Sequence, residues 1–271
     1  MSHRIAFIGG GNMASAIIGG LVQQGTPATA IVVVEPLAPA RQALKDRFGL
    51  VASEQAGDSL QGVDLVVWAT KPQVLREAAT ATRPHVGGAL HLSVAAGIPS
   101  VSLARWLGSE RIVRSMPNTP ALIGLGMTGL YAREGVTAAD RTLIEQVAAT
   151  MGESLWVNKE DQLDAVTALS GSGPAYVFYF LEAMTQAGTE MGLCADQAYK
   201  LALETFRGAS ALALASSETP ETLRQRVTSK GGTTHAAISS MEKNGVKSLF
   251  VQAMHAAAKR SHELGAEFGE D

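Results

Sequence analysis

Gly9, Gly11 and Ala14 stand at a G-x-G-x-x-A spacing within RIAFIGGGNMASAIIGGL, residues 4–21. Small residues at these three places permit a tight turn, a close approach of backbone to a pyrophosphate, and close packing of a helix on a strand. The N–H groups that open the following helix then face the phosphates. The chain holds 28 glycines, so the spacing takes its meaning from context. An apolar run precedes it, a helical segment follows, and a second apolar run ends in an acid, Glu35. An acid about 20 residues beyond such a fingerprint accepts the ribose 2′-OH and favours NAD over NADP. Two other readings stay open: Glu35 as a solvated strand-end carboxylate, and Arg41 as a contact for a 2′-phosphate. Both NADPH and NADH are therefore kept as candidate cofactors. Two more loops, ATKP (Ala69, Thr70, Lys71, Pro72) and VAAG (Val94, Ala95, Ala96, Gly97), follow apolar runs. In doubly wound sheets ligands bind beyond the carboxyl ends of the strands. Lys71 can balance phosphate charge there, or be an ordinary exposed lysine.

The second half carries two further loops of interest. In TSKGGTTHAAI, residues 228–238, Gly231 and Gly232 expose backbone N–H groups, Thr233 and Thr234 add hydroxyls, and a helix follows. Such a terminus suits a small anion, for instance a carboxylate. In ALSGSGPAYVF, residues 168–178, Pro174 suits a helix's first turn and Ser170 and Ser172 can cap it. Read from physics alone, that stretch is a well-capped helix start. Metal chemistry is not expected, because the six histidines show no H-x-x-x-H pair and no cysteine partner. There is no G-x-S-x-G nucleophile elbow, and His235 beside the threonine loop reads as structural or solvated.

The elements that must position these residues change character along the chain. Residues 5–8, 30–35, 64–70, 89–94 and 111–115 are near-continuous apolar runs, and helical segments alternate with them, as at 14–23 and 41–48. That pattern predicts a parallel sheet covered on both faces. After about Val157 the strand-like runs stop, and alanine-rich helical stretches cover 175–191, 195–216, 220–227, 235–243 and 246–264. Val246, Leu249, Phe250, Ala253, Met254 and Ala257 form the stripe expected of one buried helix face. The predicted fold is α/β: an N-terminal doubly wound, Rossmann-like parallel sheet over 1–160, then an all-helical domain over 161–271. With 46% hydrophobic and 17% charged residues the chain can bury a sizeable core. A net charge of -3 without a long basic run argues against nucleic acid. No stretch offers the roughly 20 apolar residues of a membrane span. The apolar run at 5–8 is too short for a signal peptide, and the lone Cys194 fits a reducing cytoplasm. These features predict a soluble, cytoplasmic protein.

Taken together, FIGGGNMASAIIGGL, ATKPQ, VAAGI, RSMPNTPALIGLGMTGLY, ALSGSGPAYVF and TSKGGTTHAAI resemble the pyrroline-5-carboxylate reductase family nearly end to end. MPNTP, SGSGPAY and GGTT are specific as a combination in this order, and not singly. The resemblance implies reduction of the cyclic imine 1-pyrroline-5-carboxylate to L-proline with NAD(P)H, the last step of proline biosynthesis. It implies that Ile8, Gly9, Gly10, Gly11, Asn12 and Met13 cradle the cofactor phosphates. Ala69, Thr70, Lys71, Pro72, Val94, Ala95 and Ala96 would line the dinucleotide, with Asn118 near the nicotinamide. Ser229, Gly231, Gly232, Thr233 and Thr234 would hold the substrate carboxylate. Thr167 and Thr234 are the candidate catalytic residues, each able to orient the ring nitrogen. A homodimer interlocked through the helical domain is implied, with the active site completed at the dimer interface and larger rings of dimers in some members. The cofactor carries the hydride, so the protein's task is alignment and exclusion of water. No strong acid is required if the imine arrives protonated. Two residues depart from the family: Lys230 stands where proline is common, and Glu35 where many members have a small polar or basic residue.

Two rivals compete with this reading. A 3-hydroxyacid dehydrogenase shares the layout, but Ala175, Tyr179 and Ala183 occupy the places of its third glycine, lysine and asparagine. An NAD(P)H-binding sensor without turnover would not need the complete substrate loop.

Overall fold

A computed structural model describes residues 3–269. Each of the five apolar runs forms a strand: β1 (Ile5–Ile8), β2 (Ile31–Val34), β3 (Leu65–Trp68), β4 (Leu90–Ser93) and β5 (Ile112–Met116). Helices α1 (Asn12–Gln23), α2 (Ala38–Phe48), α3 (Pro72–Thr82) and α4 (Ser100–Leu107) connect them. The continuous apolar character has a direct cause. Ile5 and Phe7 join one core with Ile17 and Ile18 of α1, while Ala6 and Ile8 join a second core with Leu75 of α3 and Leu103 of α4. Alternate side chains leave opposite faces of a strand, and here both faces are covered.

Two strands escape the sequence reading, β6 (Gly126–Ala132) and β7 (Gly152–Trp156), with α5 (Ala138–Ala149) between them. The seven strands lie in the order β2-β1-β3-β4-β5-β6-β7. Pairings from β2 through β5 are parallel, β6 runs antiparallel to β5, and β7 pairs parallel to β6. Glycine disguises β6. A Cβ on Gly129 would come within 2.6 Å of Val166 Cγ1, and one on Gly126 within 2.8 Å of the Met151 carbonyl oxygen. β7 alternates half-buried and exposed residues rather than forming an apolar run.

Beyond the sheet run α6 (Gln162–Val166), a π-helical turn at Thr167–Gly171, α7 (Gly173–Glu190), α8 (Ala195–Leu214), α9 (Pro220–Arg226), α10 (Thr233–Lys243) and α11 (Val246–Gly269). Ser170 and Ser172 do not cap a new helix as expected. The helical path continues through the π turn, and the Ser170 hydroxyl donates to the Val166 carbonyl at 3.1 Å. The chain forms two compact units, one up to Ser172 together with residues from Ala256 on, the other Gly173–His255. Residues 161–172 and the second half of α11 therefore pack with the sheet, not with the helices.

The helical unit has almost no core of its own. Among its described residues only Leu181, Gly188, Ala198 and Ala202 are buried. The stripe on α11 expected to be buried is open in the single chain: Val246, Phe250, Met254 and Ala257 are half-buried, and Leu249 and Ala253 exposed. Phe178, Tyr179, Leu201 and Met241 are exposed as well.

Candidate active site

The parallel register aligns Ile8 with Val34 and with Trp68, and Trp68 with Ser93. The segments that leave these four residues start from one edge of the sheet. That edge carries Ile8 at the end of β1, Gly9 to Met13, Glu35, Ala69 to Pro72, and Val94 to Ala96, all of the predicted cofactor residues except Asn118.

Each glycine of the first loop has a separate reason to be there. Gly9 adopts φ +98°, and a Cβ on it would sit 2.6 Å from the Ala69 carbonyl oxygen. A side chain there would part β1 from the loop after β3. A Cβ on Gly10 would meet Leu44 Cδ1 at 2.7 Å and the Glu35 side chain at 3.3 Å. At Gly11 a Cβ would meet nothing within 4 Å, so the space above it is open to a ligand. Gly11 is also the N-cap of α1 and caps it with no side chain. The first intrahelical bond runs from the Ser15 N–H to the Gly11 carbonyl. The N–H groups of Asn12, Met13 and Ala14 are thereby left for a ligand or water. The Thr70 hydroxyl, at the same edge, is buried without a protein partner. Helix-end donors, an open approach and an unpartnered hydroxyl suit the pyrophosphate of a dinucleotide.

Glu35 is neither solvated nor loosely placed. It is 6% exposed. Its Oε2 accepts the Gly10 N–H at 2.7 Å and its Oε1 the Leu37 N–H at 2.8 Å. The carboxylate braces the glycine loop, and each oxygen keeps a further lone pair for a ribose hydroxyl. Arg41 is turned away from a phosphate role. Its Nη1 donates to the Glu35 and Pro36 carbonyls at 2.9 and 2.7 Å, and its Nη2 to Glu54 at 3.2 Å.

The remaining loops are held from below and behind. The Val94 N–H donates to the Trp68 carbonyl and the Ala95 N–H to Ser93 Oγ. The Trp68 indole N–H donates to Nδ1 of the buried His91 at 3.3 Å. Burial, with a smaller push from the Arg111 charge, lowers the His91 pKa to about 4 and keeps the ring neutral. After Gly97 the chain enters α4, whose first N–H and hydroxyl, both of Ser100, donate to Glu160 at 2.5 and 2.6 Å. Glu160 also pairs with the buried Arg114 at 2.7 Å. Burial would raise the Glu160 pKa, but the bonds from Ser100 and Arg114 outweigh it and the net shift is downward. None of these supports stands out in the sequence. Only contact across the fold reveals them.

Asn118 uses both ends of its side chain. Nδ2 donates to the Ser170 carbonyl at 3.1 Å, and Oδ1 accepts the Met127 N–H at 2.9 Å. It ties the MPNTP loop to the π turn and to the start of β6. Thr167 opens that turn, and its hydroxyl donates to the Leu163 carbonyl at 2.8 Å. A Cβ on Gly171 would strike Met116 Cε at 2.5 Å, so the turn is packed closely on the end of β5.

Ser229 to Thr234 lie in the helical unit. Gly231 has φ +78°. The Gly232 N–H donates to the Ser229 carbonyl at 3.0 Å, and Gly232 is the N-cap of α10, without a side-chain cap. Thr233 and Thr234 fall in the first turn of α10, so this helix starts two residues earlier than expected. Their N–H groups and hydroxyls are free for an anion, and Thr234 is half-buried while Lys230 is exposed. Among the described residues no three His, Cys, Asp or Glu side chains cluster as a metal site, and no helix is long and apolar enough to cross a membrane.

Curated relatives 35–46% identical to this chain share one description. A pyrroline-5-carboxylate reductase from Pseudomonas aeruginosa is 46% identical over 269 residues, which is 98% of each chain. The chain belongs to the pyrroline-5-carboxylate reductase family. Residues 160–264 match the family described as pyrroline-5-carboxylate reductase dimerisation, and residues 4–97 match NADP oxidoreductase coenzyme F420-dependent. The solved reductase from Coxiella burnetii is 36% identical, covers 97% of this chain and 99% of its own, and superposes with a TM-score of 0.90. The Plasmodium falciparum reductase, solved with NADP bound, is 28% identical, covers 97% and 98%, and has a TM-score of 0.87. Against the reductase family, the π turn and the Ser229 to Thr234 loop both fall inside the dimerisation match, and the glycine loop inside the NADP oxidoreductase match.

Proposed function

We propose that the chain reduces 1-pyrroline-5-carboxylate to L-proline with NAD(P)H, completing proline biosynthesis. The observation that carries this reading is 46% identity to a reductase across 98% of both chains, joined to an open helix-end cradle at Gly11. When bound, the reduced nicotinamide supplies the hydride. The N–H groups of Asn12 and Met13 hold the pyrophosphate, with Lys71 adding positive charge and Thr70 a hydroxyl. Asn118, fixed at both ends, keeps the π turn in place. The Thr167 hydroxyl spends its proton on Leu163, so its lone pairs remain as acceptors. It thereby accepts the N–H of the protonated imine and aligns the ring. Ser229, Gly231, Gly232, Thr233 and Thr234 take the substrate carboxylate at the start of α10, with Thr234 the second candidate for orienting the nitrogen. Hydride adds to the imine carbon, and the ring nitrogen keeps its proton. The helical unit assembles as a homodimer, because it buries so little by itself, and dimers are free to build larger rings. A cytoplasmic setting suits the lone Cys194.

The test is to mix purified protein with 1-pyrroline-5-carboxylate and NADPH or NADH, following loss of reduced nicotinamide and appearance of proline. Turnover is expected. Cofactor binding by folded protein without turnover would replace this reading with a dinucleotide sensor.

A further inference from the structure

We infer that this chain selects NADH over NADPH, and that Glu35 is the residue that sets the choice. The inference rests on reading the glycine loop as a dinucleotide cradle, and it leaves open which substrate is reduced. Glu35 stands at the end of β2 with its carboxylate pinned by the Gly10 and Leu37 N–H groups. It is packed so closely under the loop that a Cβ on Gly10 would lie 3.3 Å from its own Cβ and Cγ. A carboxylate in that position can only accept hydrogen bonds. The 2′-OH of an NADH ribose offers a donor. The 2′-phosphate of NADPH offers negative charge against the charge of a carboxylate that is itself 6% exposed and so little screened by water, and the two repel.

A chain that binds a 2′-phosphate needs a cation or hydroxyls to offset that repulsion. The segment after Glu35 reads Pro36, Leu37 and then the first turn of α2, Ala38, Pro39 and Ala40, and carries neither. The nearest cation in sequence, Arg41, donates to two carbonyls and to Glu54. Recruiting it would break an ion pair and leave the Glu35 and Pro36 carbonyls without that donor. The site therefore recognises a dinucleotide with a free ribose diol, unlike the Plasmodium falciparum relative solved with NADP bound.

The experiment titrates NADH and NADPH separately into the full chain without substrate, following quenching of tryptophan fluorescence. NADH is expected to bind at least about tenfold more tightly. Equal affinity, or tighter NADPH, would overturn the selectivity while leaving the reductase reading intact. Binding of neither would remove the cradle and this inference with it. Glu35→Gln, checked for an unchanged melting temperature, should bring the two dissociation constants together. A ratio that stays at the wild-type value would show that Glu35 does not set it. If that variant fails to fold, titration of the wild type with AMP and adenosine 2′,5′-bisphosphate decides the same point. AMP is expected to bind more tightly, and a bisphosphate that binds as well as AMP overturns the proposal.

Discussion

Thr167 and Thr234 are similar side chains with different hydrogen-bond states. The Thr167 proton is committed to Leu163, whereas Thr234 sits in the first turn of α10, where its N–H and hydroxyl can both donate to an anion. Thr234→Ala is expected to raise the KM for the imine about tenfold or more, the loss of one hydrogen bond to a charged group. Thr167→Val is expected to lower kcat with a smaller change in KM. Steady-state kinetics on both variants checks the division of roles. His91 provides a test of a different kind. It is neutral in the fold down to about pH 4, against an ordinary value of 6.5. Between those values the unfolded chain takes up a proton that the folded chain refuses, so stability present above pH 6.5 drains away as the pH falls. The loss is on the order of 3 kcal/mol. Urea midpoints at about pH 7 and about pH 5, either side of the ordinary histidine value, should differ clearly in the wild type. They should differ much less in His91→Gln, which keeps an acceptor for the Trp68 indole. Asp140 and Glu160, whose pKa values are also lowered, act with the same sign in a lower range.

At the scale of elements, α4 depends on a residue far from it in sequence. Ser100 gives its N–H and hydroxyl to Glu160, which satisfies the helix start and complements its dipole. Glu160→Ala should cost about 3 kcal/mol, because Arg114 stays buried without its carboxylate. Glu160→Gln should cost less, and thermal unfolding of the two variants separates the cases. Elements also explain how far the sequence can be read. β1, β2 and β3 are legible because burial on both faces leaves an unbroken apolar run, and β4 and β5 because theirs is interrupted only by His91, Ser93, Arg114 and Ser115. β6 is not, since Gly126 and Gly129 are required by the close approach of Met151 and Val166, and glycine carries no strand signal. The π turn reads as a capped helix start because serine and glycine suit both. In the site, the glycine spacing and the GGTT loop can be recognised in one dimension. The bracing roles of Glu35 and Asn118 cannot, since their partners, Gly10, Ser170 and Met127, become neighbours only after folding.

For the whole molecule the decisive quantity is apolar surface. The helical unit leaves Phe178, Tyr179, Leu201, Met241 and Leu249 exposed, more than a unit with four buried residues can stabilise alone. A second copy covers this surface in the proposed homodimer. Leu249→Glu should then shift the protein toward monomer in sedimentation velocity and lower its melting temperature by several degrees. A solvent-exposed site would tolerate the change with almost no effect.

The sheet unit draws on both ends of the chain. Gly97, beside the cofactor edge, lies so close to α11 that a Cβ on it would meet Leu264 Cβ at 3.0 Å and the Gly265 nitrogen at 3.2 Å, and Ser102 donates to the Gly269 carbonyl across 167 residues of sequence. On the ribosome those partners emerge late. At roughly 5–20 residues per second, the delay between the two halves of this contact is on the order of ten seconds or more. Through that interval the nascent sheet holds its Gly97 edge uncovered. The support beside the cradle is therefore completed well after the strands that it covers have been made.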